Sequence, residues 1–138
     1  MNRYSIFDHT ADLGLEIYGR DERELFSNAA FAIFDAMTDI DDVAIKEKRE
    51  VAVEGSDRED LLVNFLREVL SLYNVEGFLI RQFSIVRLDD YHLTGEAKGE
   101  FFDPGKHSIN MEIKAVTYHG VKIGFTPEGL MGRIICDV

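Results

Sequence analysis

The residues best suited to chemistry lie close to the N-terminus, in the sequence DHTADLG at positions 8–14. Between Asp8 and Asp12 this segment carries two acids, the imidazole of His9 and the hydroxyl of Thr10. No helix-period apolar pattern accompanies these residues, which favours loop or strand-entry backbone. A loop that concentrates oxygen ligands is suited to a hard divalent cation.

The last residues of the sequence offer a second set of oxygen ligands, since Asp137 is followed by Val138 with its α-carboxylate. If the fold brings the two ends together, Asp12, Asp137 and the terminal backbone oxygens converge on one small site. The alternative is that segment 8–12 only forms a turn, because Asp and Thr side chains bond to nearby backbone groups in turns and caps. The spacing matches neither an EF-hand loop nor a two-histidine helical zinc pair, so the residues alone leave both interpretations open.

A second polar cluster, EIKAVTYH, spans residues 112–119. In a strand, Lys114 and Val116 point to one face, and Thr117 and His119 point to the other. Taken singly, Lys114 is explained by a solvated charge at a sheet edge and His119 by a turn. His107 follows a Pro-Gly pair and is expected in a loop, exposed to solvent.

Nucleophilic catalysis and nucleotide-binding loops find no support in the sequence. There is no G-x-S-x-G elbow, no Walker loop and no G-x-G-x-x-G fingerprint. The neighbouring charge of Asp137 makes Cys136 a poor thiolate, because a nearby negative charge raises the pKa of a thiol. Packing in the core of the last strand is the better interpretation of Cys136.

The composition predicts one domain that covers residues 1–138 and is large enough to bury a core. The formal charge of −11 without a basic run disfavours tight, direct contact with nucleic acid, which depends on Lys and Arg. An acidic surface suits cation binding or docking onto a basic protein. The single cysteine excludes an internal disulfide and fits a reducing cytosol. The sequence shows no signal peptide and no apolar run of about 20 residues, so a cytoplasmic location without membrane contact is expected.

Two segments, at residues 21–37 and 57–73, have the apolar periodicity of amphipathic helices. Asp21 with Glu24 predicts a capping box at the start of the first helix, and Ser56 with Glu59 predicts one at the start of the second. Gly77 lies just beyond the second segment and is typical of a helix end.

The other segments alternate apolar and polar residues in the manner of strands. Predicted strands lie near residues 15–18, 50–54, 78–88, 91–99, 113–118, 121–126 and 130–136. Turn signals at residues 89–90 and 127–129 separate neighbouring strands. The order of strand, helix, strand, helix and then a run of strands predicts an α+β fold, with two amphipathic helices packed on a largely antiparallel or mixed β-sheet.

Together these features resemble the archease family. The resemblance rests on the motif at positions 8–14, the motif KAVTYH at positions 114–119 and the acidic end Asp137-Val138. The interval between the motifs is also similar, with two amphipathic helices, Glu76-Gly77 after the second of them and PGKH at positions 104–107. The resemblance covers essentially the whole chain, and two motifs in the right order and at the right distance make it specific.

The resemblance implies a protein activator rather than an enzyme. Archeases assist the tRNA-splicing RNA ligase, which joins a 2′,3′-cyclic phosphate or 3′-phosphate end to a 5′-hydroxyl. That ligase first guanylylates its own active-site histidine, using GTP and divalent metal. The chain is therefore expected to promote this step, to let the ligase turn over repeatedly and to broaden its use of nucleotides.

Carried onto this sequence, the family's metal site falls on Asp12, Asp137 and a backbone oxygen of Val138, with calcium as the expected ion. Carboxylates and a backbone carbonyl form a set of hard oxygen ligands that suits calcium or magnesium and not zinc. So few protein ligands imply an incomplete shell, which water or groups of a partner complete.

The resemblance also implies a second element that acts on the partner, at Lys114 and His119, with Asp8 and His9 as lesser candidates. Lys114 is suited to supply a cation to a phosphate or to a carboxylate of the ligase. Two other classes of function remain open at this point. One is a metal-dependent hydrolase with His9 or His119 as its base, and the other is a general chaperone, which requires an exposed apolar patch of several hundred Å².

Overall fold

The computed structural model describes residues 2–138, apart from the side chains of residues 8 and 9. Within that part of the chain it contains seven strands and two helices, together with one short 3-10 turn. The strands and helices are, in chain order, β1 (Tyr4–His9), β2 (Asp12–Gly19), α1 (Glu22–Met37), β3 (Glu47–Glu54), α2 (Arg58–Glu76), β4 (Phe78–Leu88), β5 (His92–Phe101), β6 (Ala115–Thr126) and β7 (Gly129–Asp137).

The strands form two antiparallel sheets, so the α+β class is confirmed while the expectation of one sheet is corrected. The first and last pairs of strands make a four-stranded sheet in the order β1-β2-β7-β6, and the middle strands make a three-stranded sheet in the order β3-β5-β4. Helix α1 contacts both β2 and β4, and α2 contacts both β6 and β3. Each helix therefore has an apolar face broad enough to cover part of two sheets. The alternation of apolar and polar residues within single strands does not reveal that the strands divide into two sheets.

The start of α1 agrees with the sequence prediction in one half of the capping box. Asp21 caps the helix, and its carboxylate accepts a hydrogen bond from the Glu24 backbone N–H at 2.9 Å. The Glu24 carboxylate accepts from the backbone N–H of Arg20 at 3.1 Å. The bond from Asp21 satisfies a donor that the first turn of a helix leaves without an intrahelical partner, while Arg20 lies just before the helix.

The start of α2 is shifted by one residue from the predicted Ser56 and Glu59 pair. Asp57 is the capping residue and accepts from the Asp60 backbone N–H at 2.8 Å. Asp60 in turn accepts from the backbone N–H of Ser56 at 2.8 Å. The capping chemistry is the predicted one, carried out by two carboxylates.

The end of α2 and the β4–β5 hairpin follow their predicted turn signals. Gly77 ends α2 with a positive φ of 75°, a conformation that glycine adopts at little cost. The Asp89 carboxylate accepts from the backbone N–H groups of Tyr91 and His92 in the hairpin turn. Register shifts at two places in β4 explain why its sequence shows no single apolar face.

The motif at positions 8–14 is a hairpin rather than a loop. It covers the end of β1, a turn at residues 10 and 11, and the start of β2. Ala11 takes a positive φ of 62° in that turn. Strand β1 is not visible in the sequence because Ile6 and Phe7 are both apolar and interrupt the alternation.

The helices and both sheets share one core. Its largest fully buried side chains include Phe26, Phe34, Phe65, Phe78, Leu15 and Ile17. Cys136 is fully buried in β7, which confirms the prediction of a packing role. No helix in the described part of the chain has the length and apolar character required to cross a membrane.

Candidate functional site

The four-stranded sheet brings the two ends of the sequence together. The register of β2 with β7 places Asp12 directly opposite Asp137. On the other side of β7, Ala115 at the start of β6 is also opposite Asp137. The condition that the two ends of the sequence come together is therefore met for Asp12 and Asp137.

The two aspartates lie on the outer face of this sheet. The next row of paired residues, Leu13, Cys136 and Val116, is buried in the core. Because successive residues of a strand point to opposite faces, Asp12 and Asp137 point away from the core. Asp12 is half-buried and Asp137 is exposed.

The pairing of two carboxylates in this way is electrostatically unfavourable by itself. Residues directly opposite each other in an antiparallel pair have Cβ atoms about 4.5–5.5 Å apart, and like charges there repel. Burial, followed by the charges of Asp137 and Asp12, raises the pKa of the Cys136 thiol to about 12. The thiol beneath the pair is therefore protonated at neutral pH, and the outer face carries the negative charge.

The backbone of Lys114 is hydrogen-bonded to one member of this pair. Its N–H donates to the carbonyl oxygen of Asp137 at 2.8 Å, immediately before strand β6 begins at Ala115. This bond uses one of the two lone pairs of the Asp137 carbonyl oxygen. The Lys114 side chain is exposed.

Helix α2 holds the segment around Lys114 from both sides. The Arg67 Nε donates to the carbonyl of Val116 at 2.9 Å, and the Asn74 amide donates to the carbonyl of Ile113 at 3.4 Å. The two acceptor carbonyls belong to residues that flank Lys114 in the sequence. The position of Lys114 relative to Asp137 therefore depends on α2 as well as on the sheet.

A second contact between α2 and β6 lies beside the first. The Tyr118 hydroxyl donates to the Asp60 carboxylate at 2.5 Å, and the guanidinium of Arg67 lies over the Tyr118 ring at 4.6 Å from its centroid. The bond from Tyr118 is the main reason that the pKa of Asp60 falls below its usual value, and a backbone bond from Ser56 adds to it. The same bond raises the pKa of Tyr118.

The remaining residues of the second motif lie in an irregular part of β6. The register of β6 with β7 shifts between Thr117 and Lys122, and Gly120 has a positive φ of 63°. The Thr117 hydroxyl donates to the Ile135 carbonyl at 2.8 Å and has a structural role there. His119 is exposed within this shifted segment, beyond the row that contains Asp137.

Asp8 and His9 lie in β1, where the backbone register pairs them with Leu13 and Asp12. Their side chains lie outside the described residues. Their part in acting on a partner stays a prediction.

The donor set at the Asp12–Asp137 end fits a hard cation. The available groups are two carboxylates and main-chain oxygens, which suit calcium or magnesium. Among the described residues, no group of three or more His, Cys, Asp or Glu side chains is placed to hold a metal. A cation at this end therefore needs additional oxygen ligands from water or from another molecule.

His107 is not the solvated loop residue that the sequence suggests. Its ring is buried; Nδ1 accepts from the backbone N–H of Asp103 at 2.9 Å, and Nε2 lies 3.0 Å from the Glu100 carboxylate. Glu100 also accepts from the backbone N–H of Ala44 and from Lys106, which lower its pKa to about 2. This cluster joins the loop after β5 to the segment before β3, and its role is structural.

Fold and site together define a small α+β protein in which strands β2 and β7 bring two carboxylates together beside an exposed lysine. The model of the archease protein family (MTH1598/TM1083) matches residues 4–138. The chain belongs to the archease family.

Relatives in archaea agree with this assignment. The chain is 41% identical over 143 aligned positions to the protein archease of Pyrococcus abyssi, with both proteins covered in full. It is 45% identical over 125 positions to the protein archease of Sulfurisphaera tokodaii, with 89% of each covered.

Two solved structures share the fold. The solution structure of Methanobacterium thermoautotrophicum protein 1598 aligns over both whole chains with a TM-score of 0.83 and 37% identity. The crystal structure of an archease from Thermotoga maritima, described as a possible chaperone, aligns over 96% of this chain and 94% of its own, with a TM-score of 0.63 and 22% identity. At that identity the second likeness speaks for the fold alone.

Proposed function

We propose that this chain is a protein activator of the tRNA-splicing RNA ligase in the cytoplasm. It promotes guanylylation of the ligase's active-site histidine, supports multiple turnover and broadens nucleotide use. In this proposal a divalent cation, calcium by preference, is held by Asp12, Asp137 and a backbone oxygen of Val138. The observation that carries the proposal is the apposition of Asp12 and Asp137 across β2 and β7.

The incomplete ligand set favours a helper over an enzyme. Two carboxylates leave most of the six to eight oxygen positions of a calcium ion to other groups. Such a cation supplies positive charge for phosphate oxygens when it is bound. The chain's own contribution is to hold Asp12 and Asp137 on paired strands and to fix Lys114 beside them through the bond to the Asp137 carbonyl.

Charge supports a protein partner rather than direct RNA binding. The formal charge of −11 favours encounter with a basic, RNA-binding ligase and disfavours competition for its RNA. The exposed large apolar side chains of the described residues are spread over different elements, for example Ile6 in β1, Val75 in α2 and Phe125 in β6. A general chaperone requires one contiguous apolar patch, so this distribution favours it less than the carboxylate pair favours an activator.

The decisive experiment is GTP-dependent ligation by the ligase, with and without this chain, at substrate in excess over ligase. The chain is expected to convert a single round of ligation into many. Asp12→Ala and Asp137→Ala are expected to abolish this effect while circular dichroism stays unchanged. The matched control is Asp42→Ala, which removes an exposed carboxylate from the turn after α1. Full activation by Asp12→Ala or Asp137→Ala at a near-stoichiometric dose would overturn the proposal.

A further inference from the structure

A small groove lies between α2 and the beginning of β6. It has a volume of about 260 Å³, and its polar lining consists of Arg67, Ser71, Asn74 and Lys114. We infer that this Arg67–Lys114 groove binds a phosphate group. The inference rests on the proposed function, because the phosphate it assigns is that of the nucleotide used by the activated ligase.

The groove has the opposite charge to the molecule as a whole. The chain carries a formal charge of −11, yet the residues that line the groove include two cations and no carboxylate. A local cationic site on an acidic protein attracts anions at short range, while the rest of the surface repels them. The groove therefore favours an anion that is already held near it, either by a partner protein or by a cation bound to the chain.

Arg67 is held in place before any ligand arrives. Its Nε is bonded to the Val116 carbonyl, and its guanidinium plane lies over the Tyr118 ring. Among the described residues the terminal nitrogens Nη1 and Nη2 form no ion pair. The charge of Arg67 helps to lower the pKa of Asp60, but the Asp60 carboxylate is hydrogen-bonded to the Tyr118 hydroxyl. A preoriented guanidinium loses little freedom on binding, which favours affinity.

The other donors come from two further side chains. Lys114 is exposed and fixed at its backbone, so that its ammonium can reach the groove that it lines. Asn74 uses one amide hydrogen for the Ile113 carbonyl and has a second to donate. Ser71 already donates its hydroxyl hydrogen to the Glu68 carbonyl and is left only as an acceptor.

This donor arrangement fits phosphate better than carboxylate. The bond from Nε to the Val116 carbonyl leaves the terminal nitrogens of Arg67 as its donors to a ligand. Donors from three separate side chains suit a tetrahedral group with three oxygens. Lys114 lines the groove and is also bonded through its backbone to Asp137 of the carboxylate pair. A hard cation can bind a phosphate and carboxylates at the same time.

The test is a titration of the full-length chain with sodium pyrophosphate and with GTP, in EDTA, followed by NMR. The absence of metal separates this site from the Asp12–Asp137 site. Binding is expected on the order of millimolar, with shifts at the Asn74 side-chain amide and the Arg67 Nε–H. Arg67→Gln and Lys114→Gln are each expected to weaken it about ten-fold, the loss of one charge-assisted contact.

Matched variants separate charge from folding. Lys122→Gln removes an exposed lysine further along β6, and Arg87→Gln removes an exposed arginine from β4; both are expected to bind pyrophosphate normally. Tyr118→Phe keeps the ring under Arg67 and loses only the hydroxyl contacts with Asp60 and Asn64, so it is expected to bind normally as well. Arg67→Lys is expected to restore part of the affinity.

Three results would overturn the inference. They are pyrophosphate shifts confined to residues outside the groove, equal losses in the control variants, and sodium acetate binding as tightly as pyrophosphate. The last of these would assign the groove to a carboxylate of a protein partner. Failure of the proposed function gives a different result, in which pyrophosphate still binds in EDTA but the chain does not stimulate the ligase.

Discussion

Asp12 and Asp137 lie directly opposite each other on neighbouring antiparallel strands, although they come from opposite ends of the sequence. The residues one position further into the sheet, Leu13 and Cys136, form an apolar pair in the core. Burial of this apolar pair fixes the register of β2 with β7, and that register places the two carboxylates opposite each other. The packing of Leu13 and Cys136 therefore holds the two carboxylates opposite each other.

This relationship predicts opposite effects of Asp137→Asn with and without calcium. In EDTA the variant is expected to be more stable by about 0.2–1 kcal/mol, because two like charges no longer face each other. Calcium at 100 times its dissociation constant should stabilise the wild-type chain by about 2.7 kcal/mol and the variant far less. Urea unfolding at both conditions measures the two effects. Asp42→Asn serves as the control, and equal calcium stabilisation of all three proteins would argue against the assigned ligands.

The purified chain is expected to hydrolyse neither GTP nor an RNA cyclic phosphate. The Thr117 hydroxyl is bonded to the Ile135 carbonyl, and Cys136 is buried with a pKa raised to about 12. The measurement is product release over several hours with calcium, magnesium or manganese present. A turnover that follows the protein through purification and disappears in Asp12→Ala would favour the hydrolase instead.

The parts of this fold that the sequence predicts are those governed by local periodicity. Both helices, the glycine that ends α2 and the two hairpin turns follow from residues close together in the chain. The two-sheet arrangement does not, because strand alternation shows which face is apolar and not which strand is the neighbour. Strand β1 is missed for a related reason, since its adjacent Ile6 and Phe7 hide the period of two.

At the site, the two aspartates can be predicted from the sequence, whereas the residues that surround them cannot. Asp12 and Asp137 lie in short polar motifs, and they become neighbours once β2 pairs with β7. Arg67 and Asn74 lie on a helix far from Lys114 in sequence, and nothing in their spacing marks them. His107 can be buried because Glu100 in β5 accepts a hydrogen bond from its Nε2, a pairing that only the folded loop creates.

Lys114→Ala is expected to weaken ligase activation without weakening calcium binding. A protonated ammonium has donors only and cannot ligate a cation. The alanine variant also keeps the backbone N–H that donates to Asp137. Lys114→Arg should rescue activation only in part, because a planar fork differs from a point charge.

Calcium calorimetry beside single-turnover guanylylation of the ligase separates these effects, with Lys122→Ala as the control. If Lys114→Ala loses calcium and activates normally once metal is in excess, Lys114 only supports the metal site.

The buried Glu100 cluster predicts a specific loss of stability in acid. The bond from the Ala44 backbone N–H and then the contact with Lys106 hold the pKa of Glu100 at about 2, below its usual value. A carboxyl whose pKa is lowered by folding stabilises the protein above its unfolded pKa, and this contribution is lost as pH falls towards 2. Glu100→Gln should therefore be less stable than wild type at pH 7, by about 1.5–3 kcal/mol for a lost charged contact.

The difference between wild type and Glu100→Gln is expected to shrink steadily as the pH falls from about 4.5 towards 2, as the wild-type carboxyl takes up its proton. Urea midpoints measured across that range check this, with Asp42→Asn as an exposed control whose difference from wild type should stay small throughout. Activation of the ligase by Glu100→Gln at pH 7 should remain intact wherever the variant is folded, since the cluster joins β5 to the segment before β3 and includes no residue of the carboxylate pair. A stability difference that is constant between pH 7 and pH 2 would mean that the ionised form of Glu100 does not stabilise the fold.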